Sequence, residues 1–202
     1  MEYILQEKRD LPTRGAEIAV FFIVLIFLFS YFNYKPLEHS NHIINGGFEY
    51  IFYALYHLVY ITLGIVHEGG HGVCYILHTP QIITALNGTL FQLLFPLLVG
   101  LYYLRRGNYL AFYIAIFILG VSLDYTSWYI STSNEGLYVP AYKSFLGQEG
   151  YHDFNYILTY IGLIDYYKGI SIFVHILSYL LMIISLFAIF FRVFITNSGK
   201  NL

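Results

Sequence analysis

The amino-acid sequence predicts an all-α fold: a polytopic membrane helix bundle of about five to six transmembrane helices with one short amphipathic helix, forming a single integral membrane domain over residues 1–202. Three observations carry this prediction. Hydrophobic residues make up 58% of the chain and charged residues only 11%, a balance that points away from a soluble globule. Several apolar segments approach the ~20 residues a helix needs to cross a bilayer core. The 22 tyrosines, many near segment ends, suit the aromatic belts of membrane interfaces.

The first span is expected over 17–34. Lys8, Arg9 and Arg14 precede an apolar run from Ile18 to Phe32, which has the look of a secretory signal. Asn33-Tyr34-Lys35-Pro36 follow it instead of small residues suited to cleavage, so the segment reads as an uncleaved anchor. The second span is expected over 48–77 and ends at Thr79-Pro80, because proline disfavours helix in the residue before it. The third, 89–104, is short for a span and carries Gln92 and Pro96, the latter a candidate kink; Arg105-Arg106-Gly107 stop it. The fourth covers 109–130 and the last 170–191, closed by Arg192. Between these two, Ser131 to His152 is rich in Ser, Gly and Glu and contains Pro140, so it reads as a loop. Over 153–167, Phe154, Ile157, Leu158, Ile161 and Ile164 share one helical face opposite Asn155, Thr159 and Gly162. This piece is too short to cross and is expected at the interface or the bundle mouth. No repeat or low-complexity segment is present. Strict alternation of five spans sets the basic N-terminus on one side and Arg105, Arg106, Arg192 and Lys200 on the other, so the positive-inside signal nearly cancels.

A net charge of -2 with no cation cluster beyond pairs excludes a nucleic-acid partner, since phosphate binding needs several converging cations. The lone Cys74 cannot form an intrachain disulfide and leaves the redox compartment undetermined; it reads as a small buried apolar residue. The expected surroundings are the lipid bilayer and a membrane-protein or membrane-adjacent peptide substrate.

The chemistry is concentrated in Gly64 to Val73, GIVHEGGHGV. Residues four apart lie one above the other on a helix face, so His67 and His71 can aim two imidazoles at one ion. Zinc accepts nitrogen and oxygen ligands and keeps one position for water in catalytic sites. Glu68 is turned about 100° from His67, where it can flank the ion as general base towards a zinc-activated water. A chance H-E-x-x-H match in this composition has odds of roughly one in eighty, and ionisable residues in an apolar helix are costly unless paired. Gly64, Gly69, Gly70 and Gly72 crowd the same stretch, although each costs about 1 kcal/mol in a helix relative to alanine. Close approach of another backbone, or simple packing by small residues, accounts for them.

His67-Glu68-Gly69-Gly70-His71 in a hydrophobic helix resembles the H-E-x-G-H signature of the site-two protease family of intramembrane zinc metalloproteases. Gly88-Thr89-Leu90-Phe91-Gln92 is similar to that family's G-P-L-x-N element, with Thr89 for proline and Gln92 for asparagine. The resemblance covers about 48–104 and implies a membrane-embedded Zn2+, a water-activating Glu68 and cleavage of peptide bonds in or beside a transmembrane helix. No inserted PDZ-like module is expected in a chain of this length. The family's third ligand is an aspartate in an L-D-G context, whereas Leu123-Asp124-Tyr125 keeps only the L-D. Gly150-Tyr151-His152-Asp153-Phe154 resembles an element of small membrane proteins that share H-E-x-G-H and Gly-x-Leu-x-Gln, which favours the His152-Asp153 pair.

The third ligand is therefore expected among Asp153, His152, Asp124 and His175, in that order. Asp153 as a helix N-cap and His152 as a surface histidine remain open alternatives. Asp124, amid Ser122, Thr126 and Ser127, needs a partner in an apolar span: the zinc, a ligand histidine or His175. His78 lies about 10 Å along the axis from His71, too far for one coordination sphere. Gln92 is a candidate substrate-binding residue that hydrogen-bonds an extended backbone, or else a polar contact between helices. His39, His42 and His57 read as solvent-facing or interfacial. The expected activity is zinc-dependent intramembrane proteolysis. A zinc-dependent lipid-amide hydrolase, a metal-binding transporter or sensor, and a structural partner protein whose motif has lost its activity are the alternatives.

Overall fold

The computed structural model describes residues 11–34, 47–139 and 150–195. Its elements in order are α1 (Leu11–Tyr34), α2 (Gly47–Leu77), α3 (Gln81–Arg105), α4 (Tyr109–Ser131), a 3-10 turn (Ser133–Glu135), β1 (Tyr138–Val139), β2 (Gly150–Tyr151), α5 (Asp153–Tyr160), a second 3-10 turn (Ile164–Tyr166), α6 (Tyr167–Phe190) and a closing π-helical turn (Phe191–Ile195). The fold is an all-α bundle in which five helices are long and apolar enough to cross a membrane. Their outward faces are apolar, with Phe29 and Phe173 each 68% exposed. Polar side chains instead turn inward, the reverse of a water-soluble helix.

Three expectations change. The third helix begins at Gln81, eight residues before the expected start at 89. Residues 81–88 are polar or small at Thr84, Asn87 and Gly88, yet Thr84 and Gly88 are buried against His71 of α2. Pro80 sits at the N-cap position, where a missing N–H does no harm, and the helix runs on through Pro96. The amphipathic helix stops at Tyr160 instead of 167, broken at Gly162 with φ +72°, a conformation glycine adopts without penalty. Ile157 and Leu158 are buried as expected, whereas Ile161 is exposed. The stretch expected as loop contains a short antiparallel hairpin in which Tyr138 faces Tyr151. His39 and His42 lie outside the described residues.

The directions of the helices also depart from strict alternation. α2, α3, α4 and α6 run antiparallel in sequence, but α1 runs with α2: Phe27 meets Phe52 at 5.2 Å and Tyr31 meets Tyr56 at 5.9 Å. Phe21 against Phe194 and Phe32 against Tyr179 make α1 antiparallel to α6. Glu17 of α1 consequently reaches Arg192 at 3.6 Å, so the start of α1 shares an end of the bundle with the end of α6. The core lies where α1, α2, α4 and α6 meet, around Tyr31, Phe52, Phe117, Val121, Met182 and Ile189.

The α4–α6 contact is held close by small residues. A Cβ on Gly120 would lie 2.6 Å from Met182 Cγ and 2.9 Å from the Ser178 carbonyl oxygen, while Ser127 and Ser171 exchange hydrogen bonds from hydroxyl to backbone carbonyl, each 2.9 Å. Gly120→Leu should separate these helices and destabilise the fold by about 1–3 kcal/mol. Gly169→Ala, with nothing within 4 Å of the added carbon, should not. Thermal unfolding in detergent compares the two, and equal midpoints would contradict this packing.

Candidate metal centre

The periodicity of GIVHEGGHGV places His67 and His71 on the inner face of α2, about two to three turns from its C-terminal end. Their Nε2 atoms lie 3.1 Å apart. Asp153, the first residue of α5, completes a triangle: its Oδ2 is 3.1 Å from His67 Nε2 and 3.3 Å from His71 Nε2. Among the described residues this is the one group of three or more His, Cys, Asp or Glu ligand atoms that could hold a metal ion. A tetrahedral site with bonds of ~2.05 Å needs about 3.3 Å between neighbouring ligand atoms, which the three separations approach.

The ring tautomers follow from what lies behind each imidazole. His71 Nδ1 faces the Thr84 carbonyl oxygen at 2.8 Å; a carbonyl only accepts, so Nδ1 carries the proton. His67 Nδ1 faces Gln92 Oε1 at 3.1 Å. The orientation of that amide is fixed from its far side, because Gln92 Nε2 donates to the Ser122 carbonyl oxygen at 3.3 Å and to Ser122 Oγ at 2.9 Å. With both imidazoles neutral, each therefore directs an Nε2 lone pair at the other and at a carboxylate oxygen. Three lone pairs meeting at one point require a positive charge between them. A proton makes a straight hydrogen bond in one direction only, whereas a cation at the centre serves all three.

Glycines keep that point open. A Cβ on Gly88 would lie 2.5 Å from His71 Nε2 and 2.7 Å from His67 Nε2, inside the space an ion would fill. A Cβ on Gly70 would lie 2.3 Å from the Asn87 carbonyl oxygen, so this glycine sets the spacing of α2 and α3. Gly69 and Gly72 meet nothing within 4 Å.

His152 is not at this point, a correction to its expected place among the ligands. It is the N-cap of α5: Nδ1 accepts from the Asn155 amide at 3.3 Å and Nε2 donates to Thr132 Oγ1 at 3.0 Å, and the ring stacks on Tyr129 at 4.3 Å. Because the cap is supplied by His152, the Asp153 carboxylate is left to face the two imidazoles. Its backbone amide donates to Tyr129 OH at 3.1 Å, which sets where α5 begins. Burial pushes the Asp153 carboxyl up, but hydrogen bonds and positive charge from His67 and His71, when their rings carry the protons, outweigh this and hold it below the ordinary carboxylate value.

Glu68 is half-buried beside this cluster, its charge felt by His71 and Tyr129, and it has no hydrogen-bond or ion-pair partner among the described residues. Gln92 is 1% exposed and bonded on both sides, so of its two expected roles, substrate binding and a polar contact between helices, it fills the second. Asp124 and His175 are also elsewhere: they pair with each other, His175 Nδ1 to Asp124 Oδ1 at 2.6 Å, with Tyr31 OH donating to Oδ2 at 2.7 Å and Ser178 Oγ to Oδ1 at 3.3 Å. His78 is exposed at the end of α2 with φ +52°, and the exposed His57 stacks on Tyr60. Thr84, Ser122 and Tyr129 were not anticipated. Thr84 acts through a carbonyl that every residue possesses, and no motif marks the other two.

No protein-family model, no curated protein and no solved structure matches the chain.

Any metal affinity of this cluster should fall by about 10–100-fold in Gly88→Ala, the range for disturbed supporting contacts at metal sites, whereas Gly69→Ala should leave it unchanged. Calorimetric titration of purified protein distinguishes them. Asp153→Ala should likewise abolish stoichiometric binding, while His152→Ala should remove a cap worth about 1 kcal/mol and retain the metal. Loss of metal in His152→Ala at unchanged thermal stability would contradict the ligand assignment.

Proposed function

We propose that the chain is a multi-pass integral membrane protein and a zinc-dependent hydrolase of the site-two protease kind, which cleaves peptide bonds of membrane-embedded or membrane-adjacent substrates. The observation that carries this is the convergence of His67 Nε2, His71 Nε2 and Asp153 Oδ2 beside Glu68, whose carboxylate has no hydrogen-bond or ion-pair partner among the described residues. The five apolar helices with exposed apolar faces support the membrane setting.

Two imidazoles and one carboxylate suit zinc better than magnesium or calcium, which prefer oxygen donors. Three protein ligands also leave a fourth position for water or substrate, the mark of a catalytic rather than a structural site. Charge agrees: with both imidazoles neutral, Asp153 and Glu68 together balance a divalent cation, which matters where desolvated charge is costly. Once bound, the ion supplies a Lewis acid and brings the pKa of water towards about 7.

The protein's own groups do the rest. Gln92 and Thr84 keep His67 and His71 in the tautomer that ligates, a supporting role common around metal-bound histidines. Glu68, adjacent to a ligand but not one itself, takes a proton from water and returns it to the leaving amine. A substrate carbonyl must be released from its own helix to reach this point, because helical carbonyls already accept hydrogen bonds.

Glu68→Gln should retain stoichiometric zinc and lose about 10²–10⁴ in cleavage rate. The measurement is turnover of labelled single-span peptides in proteoliposomes, with zinc content determined on the same sample. Undiminished cleavage would contradict the role of Glu68. Zinc flux into the vesicles without cleavage would favour transport, and release of fatty acid from a lipid amide would keep the hydrolase but change its substrate.

A further inference from the structure

Among the described residues, the exposed charges at the two ends of the bundle are on balance of opposite sign. Far from the His67–His71–Asp153 point, Arg105 and Arg106 are exposed where α3 turns into α4, and Arg14 is exposed at the start of α1. Arg192 joins them from the end of α6, paired with Glu17 and lying 5.5 Å from the centre of the Tyr109 ring. Arg106 lies 4.6 Å from the centre of the Tyr102 ring. Among the described residues the acids at this end, Glu17 and Glu49, are buried, so the exposed charges described here are cationic, with tyrosines beneath. At the other end Glu135 and Asp165 are exposed and Glu68 is half-buried, and Lys168 is the one basic residue there among the described residues.

Strict alternation of spans would split the arginines and cancel the signal. The parallel course of α1 and α2, together with the Glu17–Arg192 contact, gathers them at one end. We infer that this arginine end lies against the anionic headgroups of the cytoplasmic leaflet and that the metal-centre end, with the β1–β2 hairpin and α5, faces the opposite side of the membrane. Arginines near span ends are retained on the cytoplasmic side and attracted by its acidic lipids, whereas acidic residues contribute little to orientation. Arg106 and Arg192 over tyrosine rings match the interfacial pairing of aromatic and basic side chains. Substrate would then approach His67, His71 and Asp153 from the non-cytoplasmic side. The inference rests on the membrane part of the proposed function and not on the metal.

The test is labelling of the full-length chain in cell membranes by a membrane-impermeant maleimide. Cys74 is 1% exposed, so the native chain supplies the background. Asn134→Cys, at the metal-centre end, should be labelled in intact cells at least about tenfold more than Arg106→Cys, and both should react after permeabilisation. The reverse pattern, or equal labelling in intact cells, overturns the inference. Arg105→Glu with Arg106→Glu should reduce the difference, and an unaltered ratio would show that these charges do not set the orientation. Extraction at alkaline pH is examined first: a chain released from the membrane pellet fails the membrane reading itself, an outcome distinct from a reversed orientation.

Discussion

Three lone pairs aimed at one point are the constraint on which the rest of the site depends. His67 and His71 cannot turn those lone pairs away, because each Nδ1–H is committed to an acceptor behind it, Gln92 Oε1 and the Thr84 carbonyl oxygen. Both acceptors belong to α3, so α2 and α3 must pack closely and in one register. Gly70 and Gly88 make that approach possible, and α4 contributes Ser122 to hold the Gln92 amide from its far side. Asp153 closes the triangle only because His152 caps α5 in its place and Tyr129 OH receives its backbone amide. Four helices therefore meet at a geometry about one ion wide.

A second buried polar group lies apart from the first and does different work. Asp124 on α4 accepts from His175 and Ser178 on α6 and from Tyr31 on α1, binding these three helices in an otherwise apolar region. Tyr31 and Ser178 are buried in this set, whereas the His175 side chain is about half exposed, 49%, so loss of a buried donor is what leaves the carboxylate short of a partner. The arrangement divides the bundle: α1, α4 and α6 are joined by a satisfied carboxylate, while α2, α3 and α5 surround an unsatisfied one. An acid whose hydrogen bonds are complete is a structural tie, and one whose neighbours are lone pairs is a site.

Much of this was legible in the sequence. The existence of five long apolar helices followed from apolar length, and the four-residue spacing of His67 and His71 set both rings on one face. Asp153 stood first among the candidate third ligands, through the resemblance of its surrounding motif. The burial of Thr84 and Gly88 was not legible, because the α2 side chain they pack against, His71, is distant in sequence. His152 and Asp153 are adjacent and chemically similar as ligands, and only the capping geometry separates them. For Gln92 the sequence left a substrate contact and a polar contact between helices side by side, and the structure shows the second. The course of α1 could not be read at all, since span counting assumes an alternation that packing overrules.

The account stands most directly on the atoms around a bound ion. X-ray absorption at the zinc edge of the purified, metal-loaded protein measures them. Two imidazole nitrogens and carboxylate or water oxygen at about 2.0–2.2 Å, with no sulfur, is the result expected. Absence of stoichiometric zinc, or a shell lacking the paired imidazole signature, would contradict it.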